Sequence, residues 1–137
     1  MRVKDLIKKE VLTIESTATL MDAAEKMARL NVGLLVVVDK RGEPVGVISE
    51  RDIVKAVADR LPLVAEVGEL AAKNIITIDA DADVHQAAKM MRENWVRHLA
   101  VVEGGRIIGV ISVRDLLADE AIAAMAESLK PKEPPKG

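Results

Sequence analysis

The chain has no cysteine, no phenylalanine and no tyrosine, and it has one tryptophan, Trp95. The absence of cysteine excludes disulfide scaffolds, thiolate metal sites and thiol catalysis. With one aromatic side chain, the protein lacks the stacking platforms that bind single-stranded nucleic acid, and its core must be aliphatic. Trp95 ends a predicted helix, and we expect its side chain to pack in the core or between repeats.

The sequence also lacks a strong net charge and a long apolar run. Twenty basic and 22 acidic residues give a net charge of −2, which disfavours nucleic acid as a partner. The run Leu34–Val38 stops at Asp39, far short of the roughly 18–20 residues that span a membrane. The N-terminus has no signal-peptide stretch, and its charged residues 2–10 are predicted to form a solvated face. We expect a soluble cytoplasmic protein, and the charge-rich composition leans towards a thermophilic source.

What the chain does contain is an internal repeat. Leu6 recurs as Leu70 and Met27 as Met91, in each case 64 positions later. The segment Gly-Val-Ile-Ser at 46–49 recurs at 109–112, one position closer, because a Gly-containing turn has lost a residue. Such a turn is where a hairpin tolerates a deletion. The chain therefore carries two copies of one supersecondary unit.

Each copy is predicted to fold as β-α-β-β-α, from strand-like runs alternating with amphipathic helices. The predicted elements of the first copy are residues 11–14, 20–30, 34–38, 44–48 and a helix that begins at Ser49. Those of the second copy are residues 75–78, 84–94, 98–103, 106–111 and 112–129. One copy alone is marginally stable, because a unit of about 60 residues buries a small fraction of its surface. We expect an α/β (α+β) protein with domains at 1–62 and 63–129, sheets packed into one pseudo-twofold module, and a disordered tail at 130–137.

The pattern Gly-x-x-Ser-x-Arg-Asp occurs where a strand leads into a helix in both copies. The serine suits the helix cap, and free backbone N–H groups beside a hydroxyl and a guanidinium favour a phosphate. Two interpretations of Asp52 and Asp115 remain open. Each aspartate either stabilises the helix dipole from the first turn or contacts a bound ligand.

Residues 32–39 with 46–53, and residues 96–103 with 109–116, resemble a tandem pair of cystathionine-β-synthase (CBS) domains, also called a Bateman module. The resemblance covers roughly residues 3–122. It implies a fold whose members bind adenine nucleotides and regulate an attached or partner protein.

The resemblance also implies two clefts, each drawing on both repeats. One cleft would use Val110, Ser112, Arg114, Asp115, Arg97, His98, Ala18, Ala23, Val32 and Gly33. Its twin would use Val47, Ser49, Arg51, Asp52, Leu34, Ala82, Ala87, Val96 and Arg97. Because Gly33 and Leu34 stand where the other copy has Arg97 and His98, we expect the Asp115 cleft to be the better-occupied site.

The predicted function is that of a stand-alone regulatory sensor without chemistry of its own. The sequence offers no nucleophile–base pair, no metal cage and no phosphate-binding loop of the Gly-rich type with lysine. The predicted ligand is an adenine nucleotide, AMP or ATP before ADP, with no other cofactor. The alternatives are a scaffold with vestigial clefts and a sensor of S-adenosylmethionine. We also expect a homodimer formed through helices and a regulated partner protein that the sequence does not identify.

Overall fold

The computed structural model describes residues 1–128, so the tail predicted to be disordered lies outside the described residues. A 3-10 helix, Val3–Leu6, precedes the first repeat. The first repeat contains β1 (Thr13–Glu15), α1 (Leu20–Leu30), β2 (Leu34–Val38), β3 (Pro44–Ser49) and α2 (Glu50–Ala58). The second contains α3 (Val67–Leu70), β4 (Thr77–Asp79), α4 (Val84–Asn94), β5 (His98–Glu103), β6 (Arg106–Ser112), α5 (Val113–Leu116) and α6 (Asp119–Ser128). The predicted mixed α/β class and the β-α-β-β-α repeat are confirmed.

Each repeat forms its own three-stranded sheet. The first has the order β1-β2-β3 and the second the order β4-β5-β6. In both sheets the first strand runs parallel to the middle strand, and the third runs antiparallel to it. A register shift at Val37/Val38 has its counterpart at Val101/Val102. β1 and β4 each begin two residues later than the strands predicted at 11–14 and 75–78, although Val36 still donates a backbone hydrogen bond to the carbonyl of Leu12.

The core of the first sheet is aliphatic, as the composition requires. The middle strand β2 is buried on both faces from its second residue onward, which matches its continuous apolar sequence. Helix α1 covers this sheet with Ala23 and Met27. In the second sheet Met91 of α4 takes the same place as Met27. The buried cluster on the first sheet comprises Ile14, Ala23, Met27, Leu35, Val37, Ile48, Val67 and Ala71.

Two short helices complete the cores, and the sequence analysis missed both. Val3 and Leu6 are buried, so the prediction that residues 2–10 form a solvated face is wrong for the 3-10 helix. Val67 of α3 is buried in the core of the first sheet. The chain accordingly divides into two compact units, one made of Glu10–Ile76 and the other of residues 1–9 with Thr77 onward. The proposed boundary between the two sequence repeats lies between residues 62 and 63, whereas the compact units change over between residues 9 and 10 and between residues 76 and 77.

The single helix predicted over residues 112–129 is wrong, because the chain forms α5 and α6 with a break at Leu117 and Ala118. Both break residues donate backbone hydrogen bonds three residues back, which tightens the turn. Leu116 and Ala121 are both buried. A spacing of five places two residues on different faces of a straight helix, so the break is what brings both inward.

Trp95 is not a core residue, contrary to expectation. Its side chain is 86% exposed, and it ends α4 in the left-handed conformation with φ of 55°. Asn31 occupies the same position after α1, with φ of 53°. Glycine or asparagine usually fills the left-handed position at the end of a helix, and at this position the indole of Trp95 is exposed.

Candidate functional site

The two strand-to-helix corners have the same hydrogen-bonded geometry. At the first corner, the Ser49 N–H and hydroxyl donate to Asp52 Oδ2 over 2.8 and 2.9 Å, and the Asp52 N–H donates back to Ser49 Oγ over 3.3 Å. At the second corner, Ser112 donates to Asp115 Oδ2 over 2.7 and 3.2 Å, with the same 3.3 Å return bond. Both pairs are half-buried. Each aspartate is therefore a helix-capping residue whose carboxylate is held in one orientation.

These corners offer fewer free backbone donors than the sequence suggested. The Glu50 N–H donates to the carbonyl of Gly33 over 3.0 Å, and the Val113 N–H donates to that of Arg97 over 2.9 Å. The backbone N–H of each aspartate donates to the hydroxyl oxygen of the serine in the same corner. In the first turn of each helix, the N–H of Arg51 or Arg114 is the one left without a hydrogen-bond partner among residues 1–128. The expectation of several free N–H groups was wrong because strand and cap already satisfy most of them.

The helices that follow the two corners differ in length. α2 has nine residues, whereas α5 has four. Because a helix dipole is the sum of aligned peptide units, one turn supplies little of it. An anion at the second corner must therefore be attracted mainly by side chains.

The second corner carries an arginine and a histidine at positions where the first corner has glycine and leucine. His98 lies opposite Ser112 in the antiparallel register of β5 and β6, and Arg97 precedes it. In the first repeat, Leu34 lies opposite Ser49 and Gly33 precedes it. Arg97 is exposed and His98 half-buried. The two corners therefore differ in charge as predicted, since the second carries Arg97 where the first carries Gly33.

The remaining predicted site residues lie on the same two scaffolds. Ala23 and Ala87 are fully buried in helices, where their side chains belong to the core. They stay predictions as ligand contacts. Arg51 and Arg114 are exposed on the first turns of α2 and α5. The half-buried members are Ala18, Val32, Val47, Ala82, Val96 and Val110.

An open groove of about 1000 Å³ lies against β1 and α1. The sequence analysis identified one residue that lines it, Ala18. Its charged lining residues carry both signs and were missed because charges on an amphipathic helix resemble an ordinary solvated face. The lining residues are Thr13, Ile14, Glu15, Ala18, Asp22, Glu25, Lys26, Ala28 and Arg29.

Two hydrogen-bonded arrangements fix side chains in this groove. Lys26 Nζ donates to the carbonyl of Thr13, which ties α1 to the strand. Hydrogen bonds from the backbone and side chain of Thr19 hold the pKa of the Asp22 carboxyl below its ordinary value. The same hydrogen bonds hold the Asp22 carboxylate in one orientation at the edge of the groove.

Among residues 1–128, no cluster of three histidine, cysteine, aspartate or glutamate side chains could hold a metal ion. In the same part of the chain, none of the helices has the length and apolarity needed to cross a bilayer.

Comparison with known proteins gives consistent matches. The CBS domain family model matches residues 3–59 and 67–122. A 17.7 kDa protein of Acidianus ambivalens is 32% identical over 137 residues, covering 99% of this chain and 83% of that protein.

Solved structures agree with the family match. The CBS domain protein PAE2072 from Pyrobaculum aerophilum, complexed with AMP, has a TM-score of 0.85 and 36% identity, covering 93% of this chain and 99% of that one. The CBS domain pair of protein MJ0100, in complex with methylthioadenosine and S-adenosylmethionine, has a TM-score of 0.77 and 30% identity. That match covers 85% of this chain and 96% of the other.

Proposed function

The chain belongs to the CBS domain family, with one copy in each repeat, and from this premise we propose that it is a regulatory module that binds an adenine nucleotide. The resemblance identified in the sequence is thereby confirmed. The proposed ligand is AMP or ATP. The proposed output is a change in the activity of a partner protein, and this chain itself catalyses no reaction. If AMP and ATP compete for the same site, the fraction of sites holding each nucleotide would report the energy state of the cell.

The Asp115 corner is the observation that carries this proposal. A ribose offers two adjacent hydroxyl donors, and a carboxylate is an acceptor for both. The Asp115 carboxylate is already oriented by Ser112, so little conformational freedom is lost when a sugar binds. AMP in the Pyrobaculum aerophilum relative supports a nucleotide as the ligand class.

The charges of the second corner favour a phosphorylated ligand. Arg114 follows Ser112 by two residues, His98 is paired with Ser112 across β5 and β6, and Arg97 precedes His98. Guanidinium groups bind phosphate oxygens through paired hydrogen bonds. A nucleoside without phosphate would leave these guanidinium groups unused. We therefore rank AMP and ATP above adenosine derivatives that carry no phosphate.

A sensor of S-adenosylmethionine is the competing candidate. The MJ0100 domain pair is described in complex with that molecule. The groove beside Ala18 is lined by three carboxylates, Glu15, Asp22 and Glu25, against the two cations of Lys26 and Arg29. This small excess of carboxylates favours a cationic ligand such as a sulfonium. A titration must therefore compare adenine nucleotides with S-adenosylmethionine.

We propose that two copies associate through apolar faces of their helices. Val54 and Val57 on α2 are 68% and 54% exposed, and Leu117 and Ile122 near the C-terminal end are 63% and 47% exposed. Exposed aliphatic side chains of this kind would become buried at a helix-mediated interface, which would stabilise the association of two copies. A dimer with two arrangements would give the ligand an equilibrium to shift, provided that it binds one arrangement more tightly.

The decisive experiment is an isothermal titration of nucleotide-stripped protein with AMP, ADP, ATP and S-adenosylmethionine. Micromolar binding of an adenine nucleotide, about −8 kcal/mol, would support the proposal. Tight binding of S-adenosylmethionine alone would favour the competing sensor. No binding of any of the four, with an intact circular dichroism spectrum and a dimer by gel filtration, would favour a scaffold.

The absence of catalysis is tested separately. The protein is incubated with ATP, and ADP and phosphate are measured over time against an Asp115→Ala control. We expect no turnover by either protein. Hydrolysis that the substitution abolishes would contradict a purely regulatory role.

A further inference from the structure

The exposed indole of Trp95 has no part in the proposed nucleotide site. Resting on the proposed function only for the existence of a regulated partner, we propose that Trp95 anchors a docking surface for an acidic segment of that partner protein. This Trp95 surface consists of Trp95, Arg92, Arg97 and Val113. All four residues lie in the compact unit formed by residues 1–9 and Thr77 onward.

Neither packing nor backbone preference accounts for a tryptophan at this position. Trp95 is the one aromatic side chain of the protein, yet it is 86% exposed. Its backbone is left-handed, a conformation that costs free energy for a bulky residue and that Asn31 adopts at the equivalent position of the first repeat. Tryptophan is a frequent anchor of protein interfaces, because its ring buries a large apolar area with few rotatable bonds.

The neighbours of Trp95 supply a cationic rim and a further apolar side chain. The carbonyl of Arg92, one turn earlier in α4, accepts the Trp95 N–H over 3.4 Å. Val113 is 39% exposed, and its N–H donates to the carbonyl of Arg97 over 2.9 Å, which places the start of α5 beside the segment that follows Trp95. Arg92 and Arg97 are both exposed. An apolar centre with a polar rim is the usual anatomy of a protein–protein interface.

The charge of this surface determines the chemistry of its partner. Neither Arg92 nor Arg97 forms a salt bridge within residues 1–128. The one acidic residue of the segment 92–97 is Glu93, and its Oε1 is paired with Lys89 Nζ at 3.9 Å. Two copies that met through this same surface would bring arginines against arginines, which is unfavourable. A segment rich in carboxylates, with an apolar side chain to cover the indole, is complementary to it.

The first repeat provides an internal comparison, because it lacks every member of the surface. Alanine replaces the first arginine, asparagine the tryptophan, glycine the second arginine and glutamate the valine, at Ala28, Asn31, Gly33 and Glu50. Single-stranded nucleic acid would also use an aromatic ring and guanidinium groups, but it needs successive stacking rings along a basic groove. One ring and a net charge of −2 therefore favour a protein segment.

Fluorescence of the single tryptophan reports on this surface without background from other aromatic residues. Nucleotide-free protein is titrated with an end-blocked glutamate peptide that has a central leucine pair, with its lysine counterpart, and with oligouridylate. We expect only the glutamate peptide to shift the indole emission to shorter wavelength, and the shift to weaken with added salt. An acidic peptide that causes no shift, or a lysine peptide that causes an equal one, contradicts the inference. A shift caused by oligouridylate alone replaces it with a nucleic-acid site.

Variants that copy the first repeat test each part of the surface by calorimetry. Trp95→Asn should bind the glutamate peptide more than about tenfold more weakly, and Arg92→Ala about three- to fivefold more weakly. Both variants should bind AMP as the unmodified protein does, because neither residue belongs to the nucleotide site. Unchanged peptide binding by Trp95→Asn would overturn the proposal.

A transplanted tryptophan is the matched control. Asn31→Trp in the Trp95→Asn background places an indole at the equivalent left-handed position without the arginines, and with an intact circular dichroism spectrum it should not restore peptide binding. Restored binding would mean that any exposed indole suffices and that the surface is not specific. The proposed function fails separately, if the unmodified protein binds the peptide and no adenine nucleotide.

Discussion

Gly46 lies against the carbonyl oxygen of Ala72, so that a Cβ atom at position 46 would stand 2.6 Å from that oxygen. The approach arises from a short antiparallel pairing in which Val47 and Ala72 exchange backbone hydrogen bonds of 3.0 and 2.9 Å. Gly109 is the matching residue of the second repeat. The three atoms nearest to a Cβ there all belong to the side chain of Ile7, at 2.7 to 2.9 Å. The equivalent glycines of the two repeats therefore have different neighbours. Gly46 faces a backbone carbonyl, whereas Gly109 faces a side chain that can move.

This difference predicts unequal costs for the same substitution. Gly46→Ala should lower the free energy of unfolding by about 2–3 kcal/mol, because a carbonyl group in a paired segment cannot move aside. Gly109→Ala should cost about 1 kcal/mol, because Ile7 can adopt another rotamer. Urea denaturation of both variants measures the difference. Equal losses would mean that the two glycines have equivalent surroundings.

Trp95→Asn should leave stability unchanged or raise it by up to about 1 kcal/mol, because asparagine tolerates the left-handed conformation better than a bulky residue. Asn31 already fills the equivalent position. Thermal denaturation tests this, with Leu99→Ala as a control that removes a fully buried side chain. A loss of about 3–5 kcal/mol on replacing Trp95 would indicate that the indole is packed after all.

Acid should weaken the attachment of the N-terminal segment through Asp81. Lys4 Nζ at 3.0 Å and Arg2 Nη1 at 3.1 Å hold the pKa of Asp81 below its ordinary value of 3.8, with Lys4 as the main cause. A lowered pKa in the folded state gives stability that is present above the unfolded value and is lost as the pH falls through the folded one.

Asp81→Asn should therefore lower the thermal midpoint slightly at pH 7 and have no effect at a pH below the folded pKa. The contribution is small because the carboxylate is exposed. Differential scanning calorimetry from neutral pH downward measures it, with Asp59→Asn as a control on an exposed aspartate without a salt bridge among residues 1–128. The same midpoint difference at every pH would mean that Asp81 acts by something other than its charge.

Asp115→Ala should weaken nucleotide binding more than Asp52→Ala. Both substitutions remove the carboxylate that we assign to the ribose, and each should cost about tenfold or more at its own corner. His98, which Arg97 precedes, is paired with Ser112, whereas Leu34, which Gly33 precedes, is paired with Ser49. Calorimetric titration with AMP compares the two variants. Equal losses would refute the ranking of the corners.

Sequence alone predicted those parts of the fold that carry a period or a duplicated pattern. The buried strand β2, the paired core residues Met27 and Met91, and the caps Ser49 and Ser112 all lie where the repeat predicted them. A pattern that occurs at equivalent positions of both repeats is less easily produced by chance than a pattern that occurs once.

Features without a periodic sequence pattern could not be predicted from the sequence. The segment around Val3 is a single turn of helix among charged residues, too short for an apolar face to recur. The occupied N–H groups of the corners follow from pairing between distant strands, which composition does not reveal. The pattern Ser-x-x-Asp did contain a usable signal, because serine and a carboxylate three residues apart form a reciprocal cap.

The compact units also bear on what a fragment of this gene can encode. Residues 1–9 belong with Thr77 onward, and Glu10–Ile76 stands as the other unit. A half-gene that stops at Pro62 would omit Val67, whose side chain is wholly buried among the residues of the first sheet. A half-gene that starts at Leu63 would likewise omit Val3 and Leu6. Neither half would carry its complete core, so we expect a fragment cut between residues 62 and 63 to be unstable by itself.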